Sequence, residues 1–178
     1  MTAETSIKLT YEDYLAIPDD GRRHEIIDGE YYVSPSPGFK HQDIVAELIR
    51  QLRNHVLAHN LGHLLGSPCD VLSEHTIVQP DVLYVSKSRA LIVSGVLRGI
   101  PDLVIEVLSP SNRHYDEHVK YKIYESAGVF EYWIVDHDAE SVKVFRRSDT
   151  RFVAVPTAEV LTTPLLPGFE LRVESLFV

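Results

Sequence analysis

The segment at residues 102–108, DLVIEVL, constrains the fold of this chain more than any other. Beyond its first residue it is apolar at every position but one. Side chains alternate between the two faces of a strand, so Leu103, Ile105 and Val107 point one way and Val104, Glu106 and Leu108 the other. A strand apolar on both faces belongs in the centre of a sheet that is covered on both sides. Glu106 sits in the middle of it. A lone ionised carboxylate in such a place costs several kcal/mol or has its pKa forced up. Glu106 must therefore be paired, protonated or bound to a metal, and a purely structural ion pair with one of the helices stays open beside the functional readings.

The rest of the chain supplies the sheet and its cover. Thr10, with Asp13 three residues on, caps a short helix that stops before Pro18. Residues 24–33, HEIIDGEYYV, read as a hairpin around Asp28-Gly29, the dipeptide a type I′ turn prefers. After the loop SPSPG, the spacing of Ile44, Val45, Leu48, Leu52 and Val56 predicts a helix over 42–60, with Gly62 as its stop. Strand-like segments follow at 70–72, 76–78, 81–85 and 102–108. Pro110 and Ser111 open a second helix over 115–127, ended by Gly128, and 130–135, 141–145 and 151–155 read as a meander of three strands. This order predicts an α/β fold with a central mixed sheet flanked by the two longer helices. With no repeat, low-complexity run or linker, residues 1–178 read as a single domain.

Charge bears on the partners. Against 17 Lys and Arg stand 26 Asp and Glu, a net −9. Residues 1–30 carry −5 of this and residues 152–178 carry −2, which leaves −2 on the body between them. Within that body, residues 82–101 hold Lys87, Arg89 and Arg98 and no acid. The acidic balance argues against a simple electrostatic nucleic-acid binder, though not against a metal-dependent one, because a bound divalent cation inverts the local field. The 44 % hydrophobic and 24 % charged fractions exclude disordered and fibrous classes. A single cysteine, Cys69, excludes a disulfide framework and reads as a small, buried or half-buried residue. Without a signal-like N-terminus the expected compartment is the cytoplasm. The uncharged stretch 90–97 is too short and too polar to span a bilayer, so no membrane association is expected.

Several residues bear chemistry. In IVQPDVLYVS, Asp81 follows a proline and opens an apolar strand. Alone it is an ordinary solvated strand-start acid; with Glu106 it makes two converging carboxylates, the minimum oxygen set for Mg²⁺. Glu25, in RRHEIIDGE, is a third acid whose face the sequence leaves open. Asp116, Lys120 and Tyr124 fall on one helical stripe, and Lys122 lies about 200° around from Lys120. The stripe is either an exposed stabilising pair or, turned to the sheet, the cation Glu106 needs. His41, heading the long helix after a flexible loop, is placed to approach a substrate or is a solvated cap-region histidine. His55, His59 and His63 recur every four residues, but no Glu follows His55 as a metalloprotease requires. GxSxG, Walker A, GxGxxG and paired CxxC motifs do not occur.

In this order, LTYEDYLAIP, HEIIDGEYYVSPSP, His41 with the helix behind it, QPDVLYV, PDLVIEVLSPS, DEHVKYKIYESAGVFEYWIVD and PLLPGFEL resemble the Uma family. That is a bacterial group of proposed restriction endonucleases in the PD-(D/E)XK nuclease superfamily, and the resemblance covers nearly the whole chain. It implies a restriction-endonuclease-like core in which one strand presents Asp81 and the next presents Glu106. The superfamily pattern places a lysine two residues after that Glu, where this chain has Leu108; the resemblance supplies Lys120 from the following helix instead. It also matches Glu25 to an additional acid near the site and the backbone carbonyl of Val107 to a further metal contact. The expected activity is metal-assisted phosphodiester hydrolysis in DNA by Asp81, Glu106, Lys120 and Glu25. Asp81, Glu106 and Val107 are expected to hold Mg²⁺ or Mn²⁺, and Lys87, Arg89, Arg98 and His41 to contact nucleic acid, with Arg146, Arg147 and Arg151 in reserve. A homodimer is the expected state, with 90–97 and the hairpin as possible contacts. The alternative is a catalytically inactive nucleic-acid-binding or interaction protein on a nuclease fold, favoured by Leu108 and the acidic balance.

Overall fold

The computed structural model describes residues 7–67, 71–94, 96–110, 112–156 and 158–178, with the backbone alone at 71–72, 90–94 and 96. Helix α1 (Tyr11–Leu15) begins at Thr10, whose hydroxyl and backbone N–H pair reciprocally with Asp13. Strands β1 (Arg23–Ile27) and β2 (Glu30–Ser34) form the hairpin. Its turn residues Asp28 and Gly29 both take positive φ, 51° and 85°, as a type I′ turn requires. Helix α2 (Phe39–Ala58) leads to β3 (Gly62–Gly66), β4 (Val71–Ser73), β5 (Thr76–Val78) and β6 (Val82–Ser86). A 3-10 helix (Lys87–Ile92) and the two-residue strands β7 (Val93–Ser94) and β8 (Val96–Leu97) precede β9 (Leu103–Val107). A π-helical turn (Tyr115–Lys120) runs into α3 (Tyr121–Ala127). Then come β10 (Glu131–Asp136), β11 (Ser141–Ser148), β12 (Arg151–Val155), β13 (Val160–Leu161), β14 (Leu171–Arg172) and a last 3-10 turn (Val173–Leu176).

The main sheet has six strands in the order β12-β11-β10-β9-β6-β3, and β1 and β2 join β4 and β5 in a second, four-stranded sheet. β9 lies inside the main sheet, parallel to β10 and antiparallel to β6, so the sheet is mixed. All five of its residues are buried. Leu103, Ile105 and Val107 pack with Ile44, Leu48, Leu52 and Val56 of α2. Val104 and Leu108 pack on the other side with Tyr124, Val129 and Tyr132. Burying each of the α2 residues contributes about 1.5–3 kcal/mol, which fixes this helix over one face. The alternation therefore puts Glu106 on the face covered by α3.

Several elements differ from the sequence reading. Helix α2 starts at Phe39, directly after Gly38, rather than at 42, because nothing in FKH opposes a helix. It ends at Ala58, and Asn60, not Gly62, takes the left-handed conformation (φ 52°). Gly62 instead begins β3, a strand the periodicity does not reveal, at φ 146°, where a Cβ would stand 2.2 Å from the Val85 carbonyl oxygen. The first turn of the helix at 115–127 is a π turn. Cys69 and residue 70 of the expected strand at 70–72 lie outside the described residues, as does Ser111. Among the described residues no helix is long and apolar enough to cross a membrane.

Candidate active site

Four elements meet at one point. β9 delivers Glu106, the residue before β6 delivers Asp81, β1 delivers Glu25, and the π turn delivers Asp116 and Lys120; none is more than 3 % exposed. Lys120 Nζ lies 2.9 Å from Glu106 Oε1, 3.2 Å from Glu25 Oε1 and 3.5 Å from Asp116 Oδ1. The Tyr124 hydroxyl, one turn further along the same stripe, donates to Glu106 Oε1 at 2.8 Å. Lys122, off the stripe, is exposed. π turns occur mostly as single turns inside helices, frequently at functional sites, and this one carries both charged residues of the stripe.

Asp81 is held from three sides. Arg23 Nη1 donates to its Oδ1 at 2.8 Å, while His41 Nε2 lies 3.0 Å from Oδ2 and the Val107 N–H donates to Oδ2 at 2.8 Å. The Asp81 backbone N–H in turn points at Glu106 Oε2, 3.4 Å away. Glu25 Oε1 also accepts from the Gln79 N–H at 2.8 Å, whereas its Oε2 is buried with no hydrogen-bond partner.

The cluster holds more acid than base. Burial pushes the Glu106 carboxyl up to about 8 against the pull of Lys120, and the nearby Asp116, Asp81 and Glu25 add to the rise. Burial likewise raises Asp116 to about 6 against the pull of Lys120. Burial also works against ionised Asp81, but the His41 hydrogen bond and the Arg23 charge prevail and hold it down at about 2. Lys120 is disfavoured by burial, yet Glu106, Glu25 and Asp116 raise it well above the usual lysine range. Four carboxylates thus face two permanent cations, Arg23 and Lys120.

This donor set fits a divalent cation. Mg²⁺ is bound through one or two carboxylates and keeps several waters, and the excess of buried acid, with Glu25 Oε2 left without a partner, is what a cation would neutralise. Among the described residues no three His, Cys, Asp or Glu side chains form a cage by themselves. Arg23, His41, Asp81, Glu106, Asp116 and Lys120 together line a crevice of about 10 Å³, room for about one water.

The other sequence candidates, His41 apart, lie elsewhere. Lys87 and Arg98 are exposed, Arg98 with its guanidinium 5.4 Å from the Tyr11 ring centre, and Arg89 pairs with Asp102 at 3.0 Å. Arg146 is held by Glu131, and Arg147 by the Glu125 carbonyl. His41, a candidate for nucleic-acid contact, lines the crevice itself, 5 % exposed and with its Nε2 3.0 Å from Asp81 Oδ2. Arg23 escaped notice in the sequence, although it stands two residues before Glu25 and so on the same face of β1. Asp116 was visible only as half of a helical pair.

The family model described as "Putative restriction endonuclease" (Uma2) matches residues 11–174. This chain belongs to the Uma2 family. All of the clustered residues fall within the matched span. A crystal structure of "a putative nuclease belonging to DUF820" from Anabaena variabilis superposes with a TM-score of 0.80, over 95 % of this chain and 97 % of that one, at 22 % identity. The two proteins share one fold. An uncharacterized protein of Synechocystis sp. is 26 % identical over 153 residues, 80 % of this chain and 76 % of its own length.

Proposed function

We propose that this Uma2 protein is a metal-dependent endonuclease that hydrolyses phosphodiester bonds, with DNA as substrate. The observation that carries the reading is the convergence of Glu25 and Glu106 on Lys120, with Asp81 set against Glu106 through its backbone N–H, from strands and a helix far apart in sequence. Asp81 and Glu106, with the Val107 carbonyl, would hold Mg²⁺ or Mn²⁺. That ion, when bound, polarises a phosphoryl oxygen and acidifies water.

The remaining work falls to the chain. Lys120, kept protonated by Glu106, Glu25 and Asp116, carries a fixed positive charge into a site with space for one water. There it orients that water and offsets charge developing on the phosphate. Tyr124 and Lys120 both hold Glu106 Oε1, which sets the orientation of that carboxylate. Arg23 and His41 keep Asp81 ionised. The reading includes a homodimer, one copy for each strand of a duplex. Tyr31 and Val33 of the hairpin are exposed on the outer strand β2 of its sheet, while the side chains of 90–96 lie outside the described residues.

A second reading, a non-cutting nucleic-acid-binding protein, is favoured by the occupation of both Asp81 oxygens and the narrowness of the crevice. Nicking of supercoiled plasmid with Mg²⁺ or Mn²⁺ separates the two. The nuclease nicks, and Lys120→Ala stops it while Lys122→Ala does not. Wild-type protein that leaves the plasmid closed in every metal tested is a binder.

A further inference from the structure

Arg23 and Asp81 have a second face. Besides the crevice, the same two side chains line a separate surface groove of about 260 Å³, which continues along Gln42, Val45, Ala46 and Ile49 of α2 to Ser67 at the end of β3. The pair is thus a partition between the acidic cluster and the groove. The guanidinium has five N–H donors, and among the described residues Arg23 spends one of them, from Nη1 to Asp81. Its side chain is 15 % exposed, so the remaining donors reach solvent only along the walls it lines. An arginine held at Nη1 by a carboxylate, with its other donors unspent among the described residues, presents an oriented fork to an anion, the geometry that suits phosphate.

We infer that the groove between α2 and the end of β3 binds the phosphate backbone of a nucleic-acid strand, with Arg23 as its anion-binding residue. The inference rests on the nuclease reading and names where its substrate lies. Gln42 and Ser67 offer polar groups beside Arg23, and Val45 and Ile49 an apolar wall for the sugar. Gly66 keeps that wall close, since a Cβ there would stand 2.7 Å from Ile49 Cδ1. A phosphate held on the groove side of Arg23 lies next to the cluster, because a single ion pair separates the two spaces. Asp81 acts here through Arg23, as the group that orients it.

The test is anisotropy of a short fluorescein-labelled DNA duplex at low salt in EDTA, so that nothing is cut. Arg23→Gln is expected to weaken binding about tenfold and to lower the slope of log Kd against log salt by about one. Because Arg23→Gln leaves Asp81 short of a partner and can unfold the chain, Gln42→Glu is the second variant. It adds an acid to the first turns of α2, where helices tolerate one well, and is expected to keep the wild-type Tm while weakening the duplex. A folded Gln42→Glu protein with the wild-type isotherm overturns the inference. So does failure of the wild type to bind the duplex, or displacement of the duplex by polyglutamate at equal charge, which marks a site for acidic peptides. If plasmid nicking persists while both variants bind as wild type does, the groove assignment falls and the nuclease reading stands. Weakened binding in both variants without nicking in any metal has the reverse meaning.

Discussion

Lys120 donates to Glu106 at 2.9 Å with both side chains sealed from solvent, and the same ammonium lies within 3.5 Å of Glu25 and Asp116. Removing one partner of a buried ion pair leaves an uncompensated charge and costs about 3–5 kcal/mol. Lys120→Met is therefore expected to lower the urea-unfolding free energy by about that amount. Lys122→Met, on the exposed side of the helix, should stay within about 0.5 kcal/mol of wild type. Equal losses in the two would mean that Lys120 does not act as the counter-ion of the cluster.

The cluster also makes stability depend on pH. The folded state holds the Glu106 proton up to about pH 8, above the ordinary 4.5. The stability contributed by that protonated carboxyl is complete below 4.5 and is lost as pH rises through 8. Asp116 works in the same direction between 3.8 and about 6. Asp81, held at about 2, works in the opposite sense, losing its contribution as pH falls from 3.8 through 2. Urea midpoints of wild type should fall from pH 5 to pH 8. In Glu106→Gln, which has no proton to lose there, the fall should be smaller; an identical slope would place the titration elsewhere.

A cation that replaces those protons reverses the trend. Because a ligand that binds only the folded state stabilises it and carboxylates must be deprotonated to bind metal, Mn²⁺ should raise the Tm of wild type, and more at pH 8 than at pH 6. The Asp81→Ala/Glu106→Ala double variant should show no Mn²⁺-dependent shift at either pH. Calorimetric titration with Mn²⁺ provides the same comparison without heating.

Much of this site was legible because burial leaves a pattern. One acid in DLVIEVL and one lysine on a helical stripe with an acid and a tyrosine made Glu106 and Lys120 candidates for each other, since strand alternation and helical spacing are local properties; which way the stripe faces is not local, and there the family resemblance chose Lys120. The hairpin turn at Asp28-Gly29 and the stop at Gly128 (φ 96°) were legible for the same reason. Arg23 and His41 were not, because their roles depend on where α2 and β1 are set against Asp81, 40 and 58 residues away along the chain. The strand β3, GHLLG, hid between two glycines that look like punctuation.

Those glycines lead to a test of the local fold. Gly62 reads as the stop of α2, but the left-handed residue there is Asn60, and Gly62 is a strand residue pressed against the backbone of β6. If Gly62 served only as a helix terminator, replacing it would be offset by Asn60. The structure instead requires that a Cβ at 62 drive β3 away from the Val85 carbonyl, 2.2 Å distant, at a φ of 146° that other residues rarely adopt. Gly62→Ala is expected to cost about 3 kcal/mol, whereas Asn60→Gly should change stability by no more than about 0.5 kcal/mol. Urea unfolding of the two variants decides it: a tolerated alanine at 62 would mean that β3 does not pair with β6 in this register.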